Sequence, residues 1–264
     1  METILMCPPE YYNVSYIINP WMSGNIGFVD TALAKKQWET LYNTISSFAN
    51  VEIIQPQIGL PDMVFTANAG AFINDDVFYL SKFKYGARTG EERFFKEWAE
   101  KKYKVVELNN DFEGAGDLLY SGINDIHFMG YGKRSVESAS LELASYSGAK
   151  IVPLELVTED FYHLDTCFCP LNDGSLMIHF PAINSKSWSY INHLYECDII
   201  NVSKADSVLF ACNAVNIGKN VIIPQGISQQ LNDDLTKRGF TVHQVDLSEF
   251  IKAGGAAKCL TLKI

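Results

Sequence analysis

Short apolar runs alternate with polar stretches along the whole chain, and four of them come as pairs around a polar turn. Met63-Val64-Phe65 and Val77-Phe78-Tyr79-Leu80 flank Asn74-Asp75-Asp76. Leu118-Leu119-Tyr120 and Ile126-His127-Phe128-Met129 flank the stretch from Gly122 to Asp125. A third pair turns at Asn172-Asp173-Gly174 and a fourth between Asn216 and Asn220. Asn, Asp and Gly supply the backbone geometry that hairpins need, so each pair predicts two short antiparallel strands.

A helical stretch and then a further strand follow each hairpin. Glu91 to Lys101 is amphipathic and feeds Tyr103 to Leu108. Ser135 to Ser147 stops at Gly148 and feeds Ile151 to Leu154, and Ser187 to Tyr195 leads to Asp198-Ile199-Ile200. Ser228 to Arg238 stops at Gly239 and leads to Phe240 to His243. Glycine just past a helix is the expected stop. A fifth unit assembles from both ends: Cys259-Leu260-Thr261-Leu262 reads as a strand beside Ile4-Leu5-Met6, and the helix from Thr31 to Ala49 feeds Val51 to Ile54.

The hairpins recur about every 45–50 residues, a period typical of repeat architectures. Strand–helix alternation alone would also fit an ordinary mixed α/β sheet. Regular spacing favours five radial units, with the joined termini closing the ring and protecting its edges. On this reading residues 1–264 form a single α/β domain of five ββαβ units.

The 264 residues are 47% hydrophobic and 20% charged, enough apolar material for a sizeable core. A formal net charge of -10, with no run of Lys or Arg, argues against a nucleic-acid partner. No phosphate-binding glycine motif is present. The first residues lack the basic and apolar regions of a signal peptide, and no apolar run is long enough to cross a membrane. Six scattered cysteines do not make a disulfide framework, so we expect a cytoplasmic protein with reduced thiols. Oligomeric state, monomer or homo-oligomer, is left open by short strands whose faces cannot be told apart.

Cys259 follows Ala253-Gly254-Gly255-Ala256-Ala257-Lys258, small residues that admit a ligand closely. Beside a positive group it would be a nucleophile; in an apolar strand it would simply be buried. His163 and Asp165 fall on one face if Phe161 to Asp165 is extended, an arrangement suited to acid/base work or to a structural histidine. Cys167 and Cys169 do not extend this group to a metal site, because no second pair of ligands stands at zinc spacing. Glu113 and Asp117 bracket Gly-Ala-Gly, a tight loop, and Glu113 with Asp165 could hold a planar cation between carboxylates. Asp62, Phe65 and Asn68 lie in the Pro61–Gly70 segment, where alternation puts Asp62 and Asn68 on one face. Arg134 is a candidate carboxylate binder.

Taken together, the Pro61–Gly70 segment, the Glu113-to-Asp117 loop, His163-Leu164-Asp165 and the near-terminal Gly-Gly before Cys259 resemble the guanidine-modifying, or amidinotransferase, superfamily. The opening Met6-Cys7-Pro8-Pro9-Glu10-Tyr11 and Tyr16 to Met22 resemble its arginine-dihydrolase branch, with the dimethylarginine dimethylaminohydrolases near by. The resemblance implies a five-bladed α/β propeller, the pentein, and hydrolysis of a guanidino substrate without cofactor or metal. It makes Cys259 the nucleophile, His163 the general acid/base, Glu113 and Asp165 the guanidinium binders, and Arg134 the binder of the substrate carboxylate. Asn68 stands where arginine deiminases carry Asp, and Asn19 resembles a residue near the substrate's amino-acid end or its leaving ammonia. Members of the dihydrolase branch often carry a second, C-terminal domain, which is not expected within these 264 residues. The implied product is ornithine with two ammonia and CO2. Citrulline, from a deiminase or dimethylargininase, is the alternative; amidine transfer or a non-enzymatic propeller scaffold are more distant ones.

Overall fold

The computed structural model describes residues 2–195 and 198–264. Its elements follow the chain as five short three-stranded sheets. Strand β1 (Thr3–Met6) is followed by helix α1 (Thr31–Ser46) and β2 (Asn50–Ile53). Next come β3 (Gly70–Asn74), β4 (Val77–Leu80), α2 (Gly86–Ala99) and β5 (Lys104–Glu107). The third unit is β6 (Leu118–Tyr120), β7 (Ile126–Tyr131), α3 (Glu137–Ser147) and β8 (Lys150–Glu155). The fourth is β9 (Phe168–Pro170), β10 (Leu176–Ile178), α4 (Ser185–Tyr195) and β11 (Ile199–Asn201), joined by the short α5 (Lys204–Ser207) to the fifth. That unit is β12 (Val215–Ile217), β13 (Asn220–Pro224), α6 (Gln229–Lys237) and β14 (Thr241–Val245), followed by α7 (Ser248–Ile251) and β15 (Leu262–Lys263).

In every sheet the middle strand pairs antiparallel with one neighbour and parallel with the other. The order β15-β1-β2 closes the ring, with Leu5 opposite Leu262. The expected five-unit α/β propeller is therefore the fold.

Alternation explains why the middle strands are apolar on both faces. Phe78 and Leu80 of β4 enter one hydrophobic cluster, shared with Leu5 and Leu262; Tyr79 enters the next, shared with Leu118 and Met129. On β7, Met129 joins that cluster and Phe128 the following one, with Phe168 and Leu176. Val221 and Ile223 of β13 pack toward the fourth sheet, whereas Ile222 packs toward the first with Ile4 and Met6. Successive side chains point to opposite faces of a strand, so each sheet is stitched to both neighbours.

The helices begin and end where local chemistry dictates. Asp30 caps α1 by accepting from the Leu33 amide, Ser228 caps α6 through Leu231, and Gly148 ends α3 in the left-handed region at φ 73°. Three local expectations need correction. Pro61 to Val64 is a 3-10 turn, and the strand that pairs with β4 is Gly70–Asn74. Cys259 lies in a turn before β15, not within a strand. His163 to Asp165 is likewise not extended throughout, because Leu164–Thr166 is a 3-10 turn.

Candidate active site

The segments just before the first strands of the sheets converge. Two consecutive 3-10 turns, Pro61–Val64 and Thr66–Ala69, precede β3; Gly114–Gly116 precedes β6; Leu164–Thr166 precedes β9. A turn at residues 210–213 precedes β12, and one at residues 257–260 precedes β15. These turns carry Asn68, Glu113, His163, Asp165, Asn213 and Cys259, all almost fully buried. Glycine makes the approach possible: a Cβ on Gly114, at φ 63°, would stand 2.7 Å from the carbonyl oxygens of Ala67 and Gly70.

Glu113 is the hub. One carboxylate oxygen accepts from Arg134 Nη1 at 2.9 Å and lies 2.7 Å from His163 Nε2; the other accepts from the Lys84 amide at 3.3 Å. Burial alone pushes this carboxyl up, but the Arg134 guanidinium and the His163 contact outweigh it and hold Glu113 well below the usual carboxylate range. His163 thus pairs with Glu113, correcting the expected pairing with Asp165, because Leu164–Thr166 is a 3-10 turn and strand alternation does not hold across it. The other ring nitrogen, Nδ1, is buried without a partner among the described residues.

Asp165 instead faces the thiol, with Cys259 Sγ 3.5 and 3.8 Å from its two oxygens. Burial raises Asp165 to about 7, against the nearby Lys258 cation. The Cys259 thiol is raised well above its ordinary value, first by burial and then by the Asp165 charge. Both effects favour the neutral thiol over the thiolate. Asp117 supports the frame: it accepts from Ser135 Oγ at 2.6 Å and from the Leu164 amide at 3.0 Å, while Ser135 Oγ accepts from the Glu113 amide.

Cys259, Asn68, Phe65, Asp62, Arg88 and Arg134 line one cavity. Its free volume, about 10 Å3, is at most one water position. Arg134 donates from Nη2 to the Ile18 carbonyl at 2.9 Å, between the rings of Tyr85 and Tyr162. Asn19 also lines the cavity, yet both its polar atoms are engaged by backbone: Nδ2 donates to the Ala253 carbonyl and Oδ1 accepts from the Met22 amide. It staples the 19–22 turn to the loop before Cys259. Asn68 gives its amide to the Glu113 carbonyl at 3.3 Å and accepts from Arg88 Nη1 at 2.8 Å.

Sequence reading missed Arg88 and Asn213. Arg88 is buried, held charged by a two-bond pairing with Glu91, and lies 4.0 Å from Asp62. The helix expected from Glu91 in fact starts at Gly86 and so includes Arg88, and one Arg beside an amphipathic stretch carries no mark of burial. Asp62 and Asn68 do converge, on Arg88 rather than along a strand. Asn213 was recoverable, since it stands 48 residues after Asp165 and 46 before Cys259, the repeat spacing itself. Among the described residues, no group of three His, Cys, Asp or Glu side chains could hold a metal, and no helix is long and apolar enough to cross a membrane.

Comparison with known proteins meets this geometry. The model of a family described as N,N dimethylarginine dimethylhydrolase, eukaryotic, matches residues 29–264. The dimethylarginine dimethylaminohydrolase of Mycobacterium tuberculosis is 39% identical over 98% of this chain and 84% of its own length. The chain belongs to this family. Within the wider guanidine-modifying superfamily it is also 45% identical, over 99% of its length, to the bifunctional arginine dihydrolase/ornithine cyclodeaminase of Synechocystis. It spans about a third of that relative, 37%. The N-terminal domain of the cyanobacterial arginine dihydrolase ArgZ, solved with substrate as a cysteine-to-serine variant, superposes with a TM-score of 0.97 at 43% identity, covering 100% of this chain and 98% of that one. An asparagine-to-serine variant of the same domain was solved covalently bonded to a reaction intermediate.

Proposed function

We propose that this chain hydrolyses the guanidinium group of arginine through a covalent bond to Cys259, and carries the reaction to ornithine. The observation that carries the reading is the buried thiol of Cys259 against Asp165, in a cavity whose wall includes the carboxamide of Asn68 rather than a carboxylate. The likeness to the arginine-dihydrolase domain supports it.

A bound guanidinium would add a second positive neighbour to that of Lys258. Placed beside Asp165, it offsets the charge that holds the thiol up and favours the thiolate. The thiolate attacks the central carbon. His163 protonates one departing nitrogen, which leaves as ammonia, and the remaining amidino group stays bonded to sulfur. His163 then takes a proton from water, which attacks the same carbon. If the thiol leaves at once, the product is citrulline. If a second ammonia leaves instead, a carbonyl carbon remains on sulfur, and a second water releases ornithine and CO2. Arginine plus two waters thus gives ornithine, two ammonia and CO2. Glu113 holds His163 in place through both cycles, and Arg134 is the cation for the substrate carboxylate, while every guanidinium nitrogen of Arg88 is already engaged by Glu91, Asn68 and the Asp62 carbonyl. Arg134 must then exchange its bond to Ile18 for the substrate.

Ammonia and amino-acid products formed from arginine test the proposal. Two ammonia per arginine with ornithine is the expected result; citrulline accumulating with one ammonia overturns it. The family model and the mycobacterial relative favour a second reading, in which dimethylarginine gives citrulline and dimethylamine, and the same assay run on that substrate decides between them.

A further inference from the structure

We infer that Asn213 is a positioning residue that builds the nucleophile's conformation and donates the hydrogen bond that stabilises its thiolate. The inference rests on the reading of Cys259 as the nucleophile.

Asn213 is fully buried, in the turn that precedes β12, and belongs to a different unit of the ring from Cys259. Its side chain has no capacity left over. Oδ1 accepts from the amides of Ala256 and Cys259, both at 3.0 Å, and so clamps the two ends of the 256–259 turn. Nδ2 donates to Cys259 Sγ at 3.1 Å and to the Asp165 carbonyl at 3.2 Å. Its own backbone carbonyl accepts from the Lys258 amide at 3.1 Å, and its amide donates to the Phe210 carbonyl. One carboxamide therefore fixes the turn, joins it to the backbone of Asp165, and aims an N–H at sulfur.

The groups facing the thiol leave this N–H a specific task. Asp165 is an anion-forming neighbour, the Lys258 ammonium acts on both Asp165 and Cys259 without a hydrogen bond to sulfur, Tyr162 is a titratable neighbour, and Phe65 and the Gly255 backbone are uncharged. Among side chains hydrogen-bonded to Sγ, Asp165 opposes the thiolate and Asn213 favours it, because an N–H bond stabilises the charged form of an acceptor. A second amide, Asn68, also bonds to a backbone carbonyl of a neighbouring unit, reaching forward 45 residues to Glu113 where Asn213 reaches back 48 to Asp165. The ring has thus used one kind of amide twice, once at the cavity wall and once behind the nucleophile.

The Asn213→Asp variant keeps the oxygen acceptor for the two amides, loses the N–H to sulfur and adds a negative charge. Its thiol titration, read as the pH dependence of alkylation by iodoacetamide with mass spectrometry at Cys259, is expected to move up by about one unit, a tenfold change in the thiolate fraction. The pH profile of kcat/KM should shift with it while KM for arginine changes little. Because the added charge also raises the thiol, the same upward move must appear in the uncharged Asn213→Ala, and its absence there overturns the inference. An unchanged titration in a folded Asn213→Asp protein overturns the inference, as would a loss of activity with an unmoved pH profile, which marks a merely structural role. Asn213→Ser, whose hydroxyl can still donate, should restore part of the shift. Should none of these variants fold, the wild-type protein with ¹⁵N-labelled asparagine side chains decides: the Asn213 Nδ2 resonance should follow the Cys259 titration and be flat in Cys259→Ala. A flat wild-type resonance refutes the N–H bond. Failure of the underlying reading looks different, since Cys259→Ala would then retain hydrolysis of arginine.

Discussion

Asp165 bears the cost of a buried carboxylate that the nearby Lys258 only partly offsets. Because burial raises it to about 7, the native protein binds a proton more readily than the unfolded chain between the ordinary Asp value near 4 and pH 7. Native stability from this group therefore falls as pH rises through that window and is level above it. Asp165→Asn should remove the fall, so its denaturation free energy, measured by urea titration, gains on wild type from pH 4 to pH 7 while activity is lost. Parallel curves would show that Asp165 carries no such burden. Glu113 has the opposite sign: held low by Arg134 and His163, it adds stability above the ordinary Glu range that is lost as pH falls through its own lower value. At Asn68 the chemistry turns on an amide between Arg88 and the Glu113 carbonyl. Replacing it by Asp would pair a carboxylate with Arg88, and replacing it by Ser would free Arg88. Both Asn68→Asp and Asn68→Ser should move the product from ornithine toward citrulline; an unchanged ratio removes Asn68 from the second cleavage.

At the scale of elements, the turns before the strands matter more than the strands. Gly114 holds a positive φ with carbonyl oxygens of two other residues against it, so Gly114→Ala should cost about 2 kcal/mol or more and lower kcat as Glu113 shifts. Thermal melting and steady-state rates check the two halves of that expectation. These turns were also the least legible part of the chain. The second strands, the helices and their glycine stops could be read because period-two and helical patterns leave a mark in composition. Met63-Val64-Phe65 reads as a strand by the same rule, yet it is a 3-10 turn, and the true strand begins at Gly70, which has no side chain to announce it. The candidate site was legible as residue types in segments, Cys259, His163, Glu113 and Asn68 among them. Their pairing was not, because alternation argued along one segment, whereas His163 meets Glu113 across two units. Arg88 was hidden for the same reason: its partners Asp62 and Asn68 lie in a different element.

For the whole molecule, stability and activity are separable by position on the ring. Leu262 and Leu235 are both buried, in clusters at different junctions between sheets. Either residue changed to Ala should lose about 2–5 kcal/mol by urea denaturation, from lost burial and the cavity left behind. Leu262 is three residues after Cys259 and holds β15 onto β1, so Leu262→Ala should also lower kcat well below its melting temperature. Leu235→Ala, on α6 away from the cavity, should keep kcat until it melts; equal losses of kcat would contradict this division. The closure by β15 has a further consequence in time. Ile4 pairs with Lys263, and the Ile264 amide donates to the Thr3 carbonyl, so β1 cannot complete its sheet until the distant β15 reaches it. Contacts between distant parts of a chain form slowly, because loop entropy is lost before they reward it. Four sheets can therefore assemble while the fifth is still open, holding Glu113, His163 and Asn68 in place with no Cys259 beside them. In refolding from urea, recovery of arginine hydrolysis should follow the slowest structural phase rather than the first appearance of helix, making catalysis the signal that the ring has shut.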